Sequence, residues 1–91
     1  MKRVILKYSV QPADWLHLDL PQGAQVLTVQ VQDGQPYLWA SVIPSAPVEP
    51  RRFRLLPTGL EYEADRLTYV VTFQIVTEGR PLIFHLLEET S

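Results

Sequence analysis

Apolar and polar residues alternate with a period of two along most of the chain, which is typical of strands with one buried face. In the run RVILKYSV, at 3–10, every second residue from Val4 onwards is apolar or aromatic. The runs WLHLDL, at 15–20, and QVLTVQVQ, at 25–32, repeat this alternation. No stretch shows apolar residues at helical spacing. The pattern predicts an all-β protein of about seven short antiparallel strands, arranged as a small barrel or as a two-sheet sandwich.

A two-residue turn at Asp33-Gly34 is expected to fix the register of a first hairpin. Both positions of a type I′ turn need positive φ, which favours this pair of residues. The turn places Val31 opposite Pro36 in a row without ladder hydrogen bonds, so the missing proline N–H is harmless there. The predicted buried row of this hairpin is Leu27, Val29, Leu38 and Ala40.

Glu78-Gly79 predicts the same turn type in a second hairpin, with Pro81 opposite Val76. Relative to the turn, the predicted buried row of this hairpin is the opposite one, namely Val71, Phe73, Ile75, Leu82, Phe84 and Leu86. The similarity of VQDGQPYLW to VTEGRPLIF therefore reflects one turn type used twice, and not an internal duplication. Each hairpin proline should also limit how far the sheet continues beside it.

The segment between the two hairpins is rich in proline. Three prolines recur at every third position of PSAPVEP, at 44–50, which favours an extended crossover connector. RRFRLL, at 51–56, then predicts a short strand. PTG, at 57–59, predicts a turn, and LEYEADRL, at 60–67, predicts an acidic loop.

Composition limits what a chain of 91 residues can be. At this length we expect a single domain, spanning 1–91, with one modest core. Cysteine is absent, which excludes disulfides and thiolate metal sites and favours the cytoplasm. The basic start lacks the apolar run and cleavage site of a signal peptide, and no run is long enough to span a membrane. A net charge of −2 does not favour sequence-specific nucleic-acid binding.

The residues give little support to catalysis or metal binding. Glu61, Glu63 and Asp65 are alternate acids in a loop, where carboxylates are normally solvated. His17 and His85 are far apart in the sequence, and two dispersed histidines are weak evidence for a metal site. We therefore expect a protein that is not an enzyme, without catalytic residues, metal or cofactor.

The run Arg51, Arg52, Phe53 and Arg54 is the first candidate for ligand binding. Guanidinium groups bind phosphate or carboxylate in a bidentate manner, and a neighbouring aromatic ring can stack on a base. On a strand, Arg52 and Arg54 share one face, while Arg51 and Phe53 share the other. The same run also fits a short edge strand that is protected by charge.

Tyr37 and Trp39 are the second candidate, because they lie on the row of the first hairpin that faces away from its apolar row. In a closed barrel these rings would be exposed and would suit a binding surface or a subunit interface. In a sandwich whose second face is covered, they would belong to the core.

The segments KYSV, LPQGAQVLTVQVQDGQPYLWASV, PTG, YVVTFQ and LIFHLLEE resemble a family of small uncharacterised proteins encoded by tailed bacteriophages and prophages. The resemblance runs from about Lys2 to Glu89. Its most specific parts are Gly23-Ala24, VQVQ, Trp39, Thr58-Gly59, Thr72-Phe73 and Phe84-His85. It implies a phage accessory protein in the cytoplasm of the bacterial host, without an assigned activity or catalytic residues.

Together these expectations favour a non-enzymatic binding protein that acts on a host process or a host defence. In one form it sequesters a small anionic, nucleotide-like ligand, in a pocket shared between the subunits of a homo-oligomer. In the other form it inhibits a host protein that it binds through an aromatic face or a sheet edge. A minor virion or assembly component is a third alternative.

Overall fold

The computed structural model describes residues 1–90, which form seven antiparallel strands and no helix. The strands are β1 (Val4–Ser9), β2 (Trp15–Pro21), β3 (Gln25–Gln32), β4 (Gln35–Val42), β5 (Val48–Pro57), β6 (Leu67–Thr77) and β7 (Arg80–Glu89). One sheet has the order β1-β4-β3, and the other has the order β2-β5-β7-β6. The all-β prediction is confirmed, and of the two architectures considered the structure is the two-sheet sandwich.

Both hairpins have the predicted turns. The φ angles are 51° and 77° at Asp33-Gly34, and 52° and 73° at Glu78-Gly79. Val31 pairs with Pro36, as the turn geometry requires, and Pro81 has the equivalent position in the second hairpin.

Each hairpin strand that contains a proline also pairs with a second strand, and that second ladder ends before it reaches the proline. β1 pairs with β4 only as far as Tyr37, and β5 pairs with β7 only as far as Phe84. Neither ladder therefore needs a proline N–H. The Pro36 carbonyl instead accepts a hydrogen bond from the Val10 N–H at 3.1 Å.

The first hairpin departs from its predicted register at one residue. A β-bulge between Val26 and Thr28 leaves Leu27 without a pairing partner and 50% exposed. Val26 pairs with Ala40 and packs against the core in its place. The prediction that Leu27 is buried is therefore wrong, because the extra residue of a bulge changes which side chains point inward beyond it.

The proline-rich connector is shorter than predicted. A turn closes it, with the Ala46 N–H bonded to the Ile43 carbonyl at 3.0 Å, and β5 already begins at Val48. Pro50 lies within β5, where that strand pairs only with β2, so its missing N–H breaks no second ladder. From Phe53 onwards β5 has β7 as a second neighbour. The alternative interpretation of RRFRLL as an edge strand is therefore wrong.

The core lies between the inner faces of the two sheets. Leu38 and Val42 of β4, Phe53 of β5 and Leu86 of β7 are fully buried there. In the second hairpin Phe73 and Leu86 are buried as predicted, and Val71, Ile75 and Phe84 pack against the core. The prediction that Leu82 is buried is wrong, because that side chain is 45% exposed near the turn. No helix within residues 1–90 is long and apolar enough to cross a membrane.

The outer face of the four-stranded sheet is covered in part by the segment between β5 and β6. Leu56 and Leu87 alternate with core residues and so point away from the core, yet each is only 2% exposed. Residues 58–66, which we call the 58–66 loop, lie over them and contribute Leu60 and Tyr62. This loop gives the sandwich a small third layer, and a cleft forms at its edge.

Candidate anion-binding cleft

A cleft of about 530 Å³ separates the 58–66 loop from the outer face of the four-stranded sheet. Its floor combines Trp15 of β2 with Arg52 and Arg54 of β5. The remaining lining residues are Glu61, Tyr62, Glu63 and Arg66 of the loop, Leu67 of β6 and Glu89 of β7. We call this site the arginine cleft after its three arginines. It also contains three glutamates.

The alternation of β5 explains why two arginines reach this cleft. Phe53 and Leu55 point into the core, so Arg52 and Arg54 point outward. The register between β2 and β5 sets Trp15 directly opposite Arg54. Strand pairing therefore places an indole ring beside both guanidinium groups.

Arg52 is held in place by two contacts. Its guanidinium carbon lies 3.8 Å from the centroid of the Trp15 ring, which is a stacking distance. Its Nη1 donates to Glu89 Oε2 at 2.8 Å. Both side chains of this ion pair are more than one third exposed, so the pair adds little stability. Glu89 nevertheless compensates the charge of Arg52.

Arg54 differs from Arg52 because no carboxylate of residues 1–90 forms an ion pair with it. The guanidinium lies 5.1 Å from the Trp15 ring centroid. Its Nε is buried without a hydrogen-bond partner, as is that of Arg52, but unlike Arg52 it forms no ion pair with any residue of 1–90. Arg66, on the opposite wall, likewise forms no ion pair within this range. Within the described chain, the cleft therefore contains two arginines that form no ion pair, alongside two glutamates, Glu61 and Glu63, that form none either.

Arg51 serves the structure and does not reach the cleft. Its Nε and Nη2 donate to the two carboxylate oxygens of Glu88, the second bond at 2.7 Å, and its Nη1 donates to the Ala24 carbonyl at 2.6 Å. The bond to Glu88 raises the pKa of Arg51 above its usual value, against the opposing effect of burial. Phe53 is fully buried and cannot stack on a ligand. Of the predicted run, only Arg52 and Arg54 face the cleft.

Tyr37 and Trp39 lie on the opposite side of the molecule, on the outer face of the three-stranded sheet. Both rings are half-buried beside Lys7, whose Nζ lies 4.5 Å from the Tyr37 centroid and 5.6 Å from the Trp39 centroid. The Trp39 Nε1 is buried without a partner. The structure therefore does not bring these aromatic residues together with the arginines.

A chain of hydrogen bonds connects the start of the 58–66 loop to the sheet. Thr58 Oγ1 lies 2.8 Å from His85 Nε2, and Thr72 Oγ1 lies 2.8 Å from His85 Nδ1. The Tyr69 hydroxyl extends the chain, at 2.7 Å from Thr72. His85 and Thr72 are directly opposite each other in the ladder between β6 and β7.

The end of the 58–66 loop is also bonded to the region of β7. The Arg66 carbonyl accepts hydrogen bonds from the Thr90 N–H at 2.9 Å and from Thr90 Oγ1 at 3.1 Å. Within the loop, the Arg66 N–H donates to the Glu63 carbonyl at 3.2 Å. Bonds at both ends position the wall of the arginine cleft before any ligand arrives.

Comparison with known proteins identifies the family of this chain. A family model described as a domain of unknown function, DUF7352, matches residues 1–91. The chain belongs to this family. No curated protein and no solved structure matches it significantly.

Sequence reasoning missed five residues that line the cleft of this DUF7352 domain, namely Trp15, Tyr62, Arg66, Leu67 and Glu89. The signal for Trp15 was present, because it begins an alternating run whose apolar residues point the other way. The sequence does not predict which strand pairs with β2, since β2 and β5 are separated in sequence by a complete hairpin. Within residues 1–90 there is no group of three or more His, Cys, Asp or Glu residues that could hold a metal ion.

Proposed function

We propose that this DUF7352 domain is a non-enzymatic binding protein that takes up a small anionic, nucleotide-like ligand in the arginine cleft. The observation that carries this proposal is the guanidinium of Arg54, which faces a cleft beside Trp15 without an acidic partner. An arginine in this situation binds phosphate or carboxylate through short, charge-assisted hydrogen bonds.

The mixed charge of the cleft narrows the class of ligand. Glu61 and Glu63 on the loop would repel a ligand that is anionic over its whole length. They would accept hydrogen bonds from hydroxyl or amino groups, which a ribose and a base carry. We therefore expect the anionic end to lie near Arg54 and the neutral end to lie against the loop. The ring of Tyr62, half exposed at the rim, is available for stacking on a base.

The size of the cleft supports binding within one subunit. A volume of about 530 Å³ falls inside the range of roughly 300–1,000 Å³ that is common for small-molecule sites. A pocket shared between subunits is thus not required, and a homo-oligomer stays a prediction. The biological setting, a phage accessory protein that acts on a host process in the bacterial cytoplasm, rests on the family resemblance and also stays a prediction.

Replacing Arg54 tests the proposal. We expect Arg54→Ala to weaken the binding of ADP by roughly 10- to 100-fold, since a hydrogen bond to a charged group contributes about 1.5–3 kcal/mol. Because Arg54 has no protein acceptor and loses only its contact with the Trp15 ring, its replacement should lower the melting temperature only slightly. Isothermal titration calorimetry and thermal unfolding measure the two effects.

Arg80→Ala is the matched control, because Arg80 is an exposed arginine at the far end of β7, next to the Glu78-Gly79 turn. It removes the same charge and should leave ADP binding unchanged. Equal loss of affinity in both variants would mean that only the net charge attracts the nucleotide. No ADP binding by the unmodified protein would contradict the proposal.

A further inference from the structure

β1 is the least covered strand of the sandwich. It pairs with β4 on one side, and no strand of residues 1–90 pairs with its other side. Three consecutive apolar residues of β1 are largely open to solvent, with Val4 42%, Ile5 62% and Leu6 43% exposed. An edge of this kind presents unpaired backbone N–H and C=O groups together with apolar surface.

The exposed side chains lie on both faces of β1. Val4 and Leu6 pair with Val42 and Ala40, which are fully buried, so they belong to the inner face of the sheet. They stay exposed because the two sheets contact each other chiefly where β3 packs against β6. The sandwich is open on the β1 side, where one further strand would cover this surface.

The charge around β1 is positive and uncompensated. Arg3 donates to Ser41 Oγ at 2.9 Å and to the Gly23 carbonyl at 2.8 Å, and both acceptors are neutral. Lys7 donates to Gln32, which is also neutral. Within residues 1–90 neither cation forms an ion pair, although the chain as a whole has a net charge of −2.

We propose that β1 is a docking edge for an extended acidic-apolar segment of another protein, which adds to the three-stranded sheet as a fourth strand. In this mode main-chain hydrogen bonds supply affinity, and alternate side chains supply specificity. Apolar residues of the partner would cover Val4 and Leu6 on the inner face. Acidic residues of the partner would lie opposite Arg3 and Lys7 on the outer face.

A second copy of the chain fits this edge poorly. Antiparallel pairing of two β1 strands about Ile5 would set Arg3 opposite Lys7 of the other copy, and would do so twice. Like charges directly opposite each other destabilise a strand pair. Other registers avoid this pair, but β1 contains no acidic residue, so a second β1 strand cannot compensate Arg3 and Lys7 in any register, whereas an acidic strand from a different protein can.

A short blocked peptide in which glutamate alternates with valine is the probe for this edge. We expect hydrogen–deuterium exchange of the β1 backbone to slow when the peptide binds, and the affinity to fall as salt is added. The double variant Arg3→Glu, Lys7→Glu should bind this peptide at least tenfold more weakly. It should gain affinity for the matched peptide in which lysine replaces glutamate.

Far-ultraviolet circular dichroism verifies that the double variant folds, and the single variant Lys7→Gln is the milder substitute if it does not. Equal binding of the acidic and basic peptides would overturn the proposal, as would no binding at millimolar peptide. Protection in the arginine cleft instead of β1 would also overturn it, as would self-association through β1. Binding of ADP should be the same with and without the peptide, so the two proposals can fail separately.

Discussion

At the residue scale, Arg51 and Arg54 have different roles because they point to opposite faces of β5. Arg51 points to the inner edge of β5, where Glu88 and the Ala24 carbonyl use its hydrogen-bonding groups. Arg54 points outward into the arginine cleft and has no acidic partner within residues 1–90. Exposure to a ligand, and not residue type, therefore separates the candidate binding arginine from the structural one.

Replacing Arg51 should accordingly have the opposite effect to replacing Arg54. We expect Arg51→Ala to lower the free energy of unfolding by about 1–3 kcal/mol, because it leaves the half-buried Glu88 carboxylate without its bidentate partner. Urea unfolding measures this loss, and ADP affinity should stay unchanged in the folded variant. A stable Arg51→Ala protein that no longer binds ADP would reverse the roles assigned to the two arginines.

At the scale of elements, the bulge in β3 decides which neighbouring residue stabilises the first hairpin. Leu27→Ala should lower the free energy of unfolding by less than about 0.5 kcal/mol, because that side chain already lies half in solvent. Val26→Ala should lower it by roughly 1–2 kcal/mol, since Val26 packs against the core. Paired urea titrations compare the two variants. A larger effect at Leu27 would favour the regular, unbulged register.

The 58–66 loop is the second element whose role can be tested alone. His85→Ala removes both bonds to the imidazole, including the one that connects the Thr58 side chain to β7. We expect faster hydrogen–deuterium exchange in the loop and weaker ADP binding, with the sandwich itself still folded. His17→Ala is the matched control, because His17 is an exposed histidine on β2 that lies outside the lining of the arginine cleft. Unchanged exchange in the loop of the His85 variant would show that other contacts hold it.

The elements that could be predicted from the sequence are those set by local chemistry. Asp33-Gly34 and Glu78-Gly79 determined both hairpin registers, because positive φ at two adjacent positions is a local requirement. The bulge at Leu27 has no comparable signature. Pairing of β2 with β5 depends on packing across the whole chain, so Trp15 could not be assigned to the site beforehand.

At the scale of the whole molecule, the sandwich separates its candidate surfaces. The arginine cleft lies on the outer face of the four-stranded sheet, while β1 and the half-buried Trp39 belong to the three-stranded sheet. A small ligand and a protein partner would therefore occupy different sides. The two tryptophans of the chain, Trp15 and Trp39, report on the two faces independently.

The most direct test of the account is a ¹H–¹⁵N NMR titration with ADP that follows the two tryptophan indole N–H signals. The arginine cleft predicts that the Trp15 signal shifts and saturates as ADP is added, together with backbone signals of the 58–66 loop. The Trp39 signal should stay in place. A spectrum that ADP leaves unchanged, or one in which Trp39 shifts and Trp15 does not, would contradict the arginine cleft as the binding site.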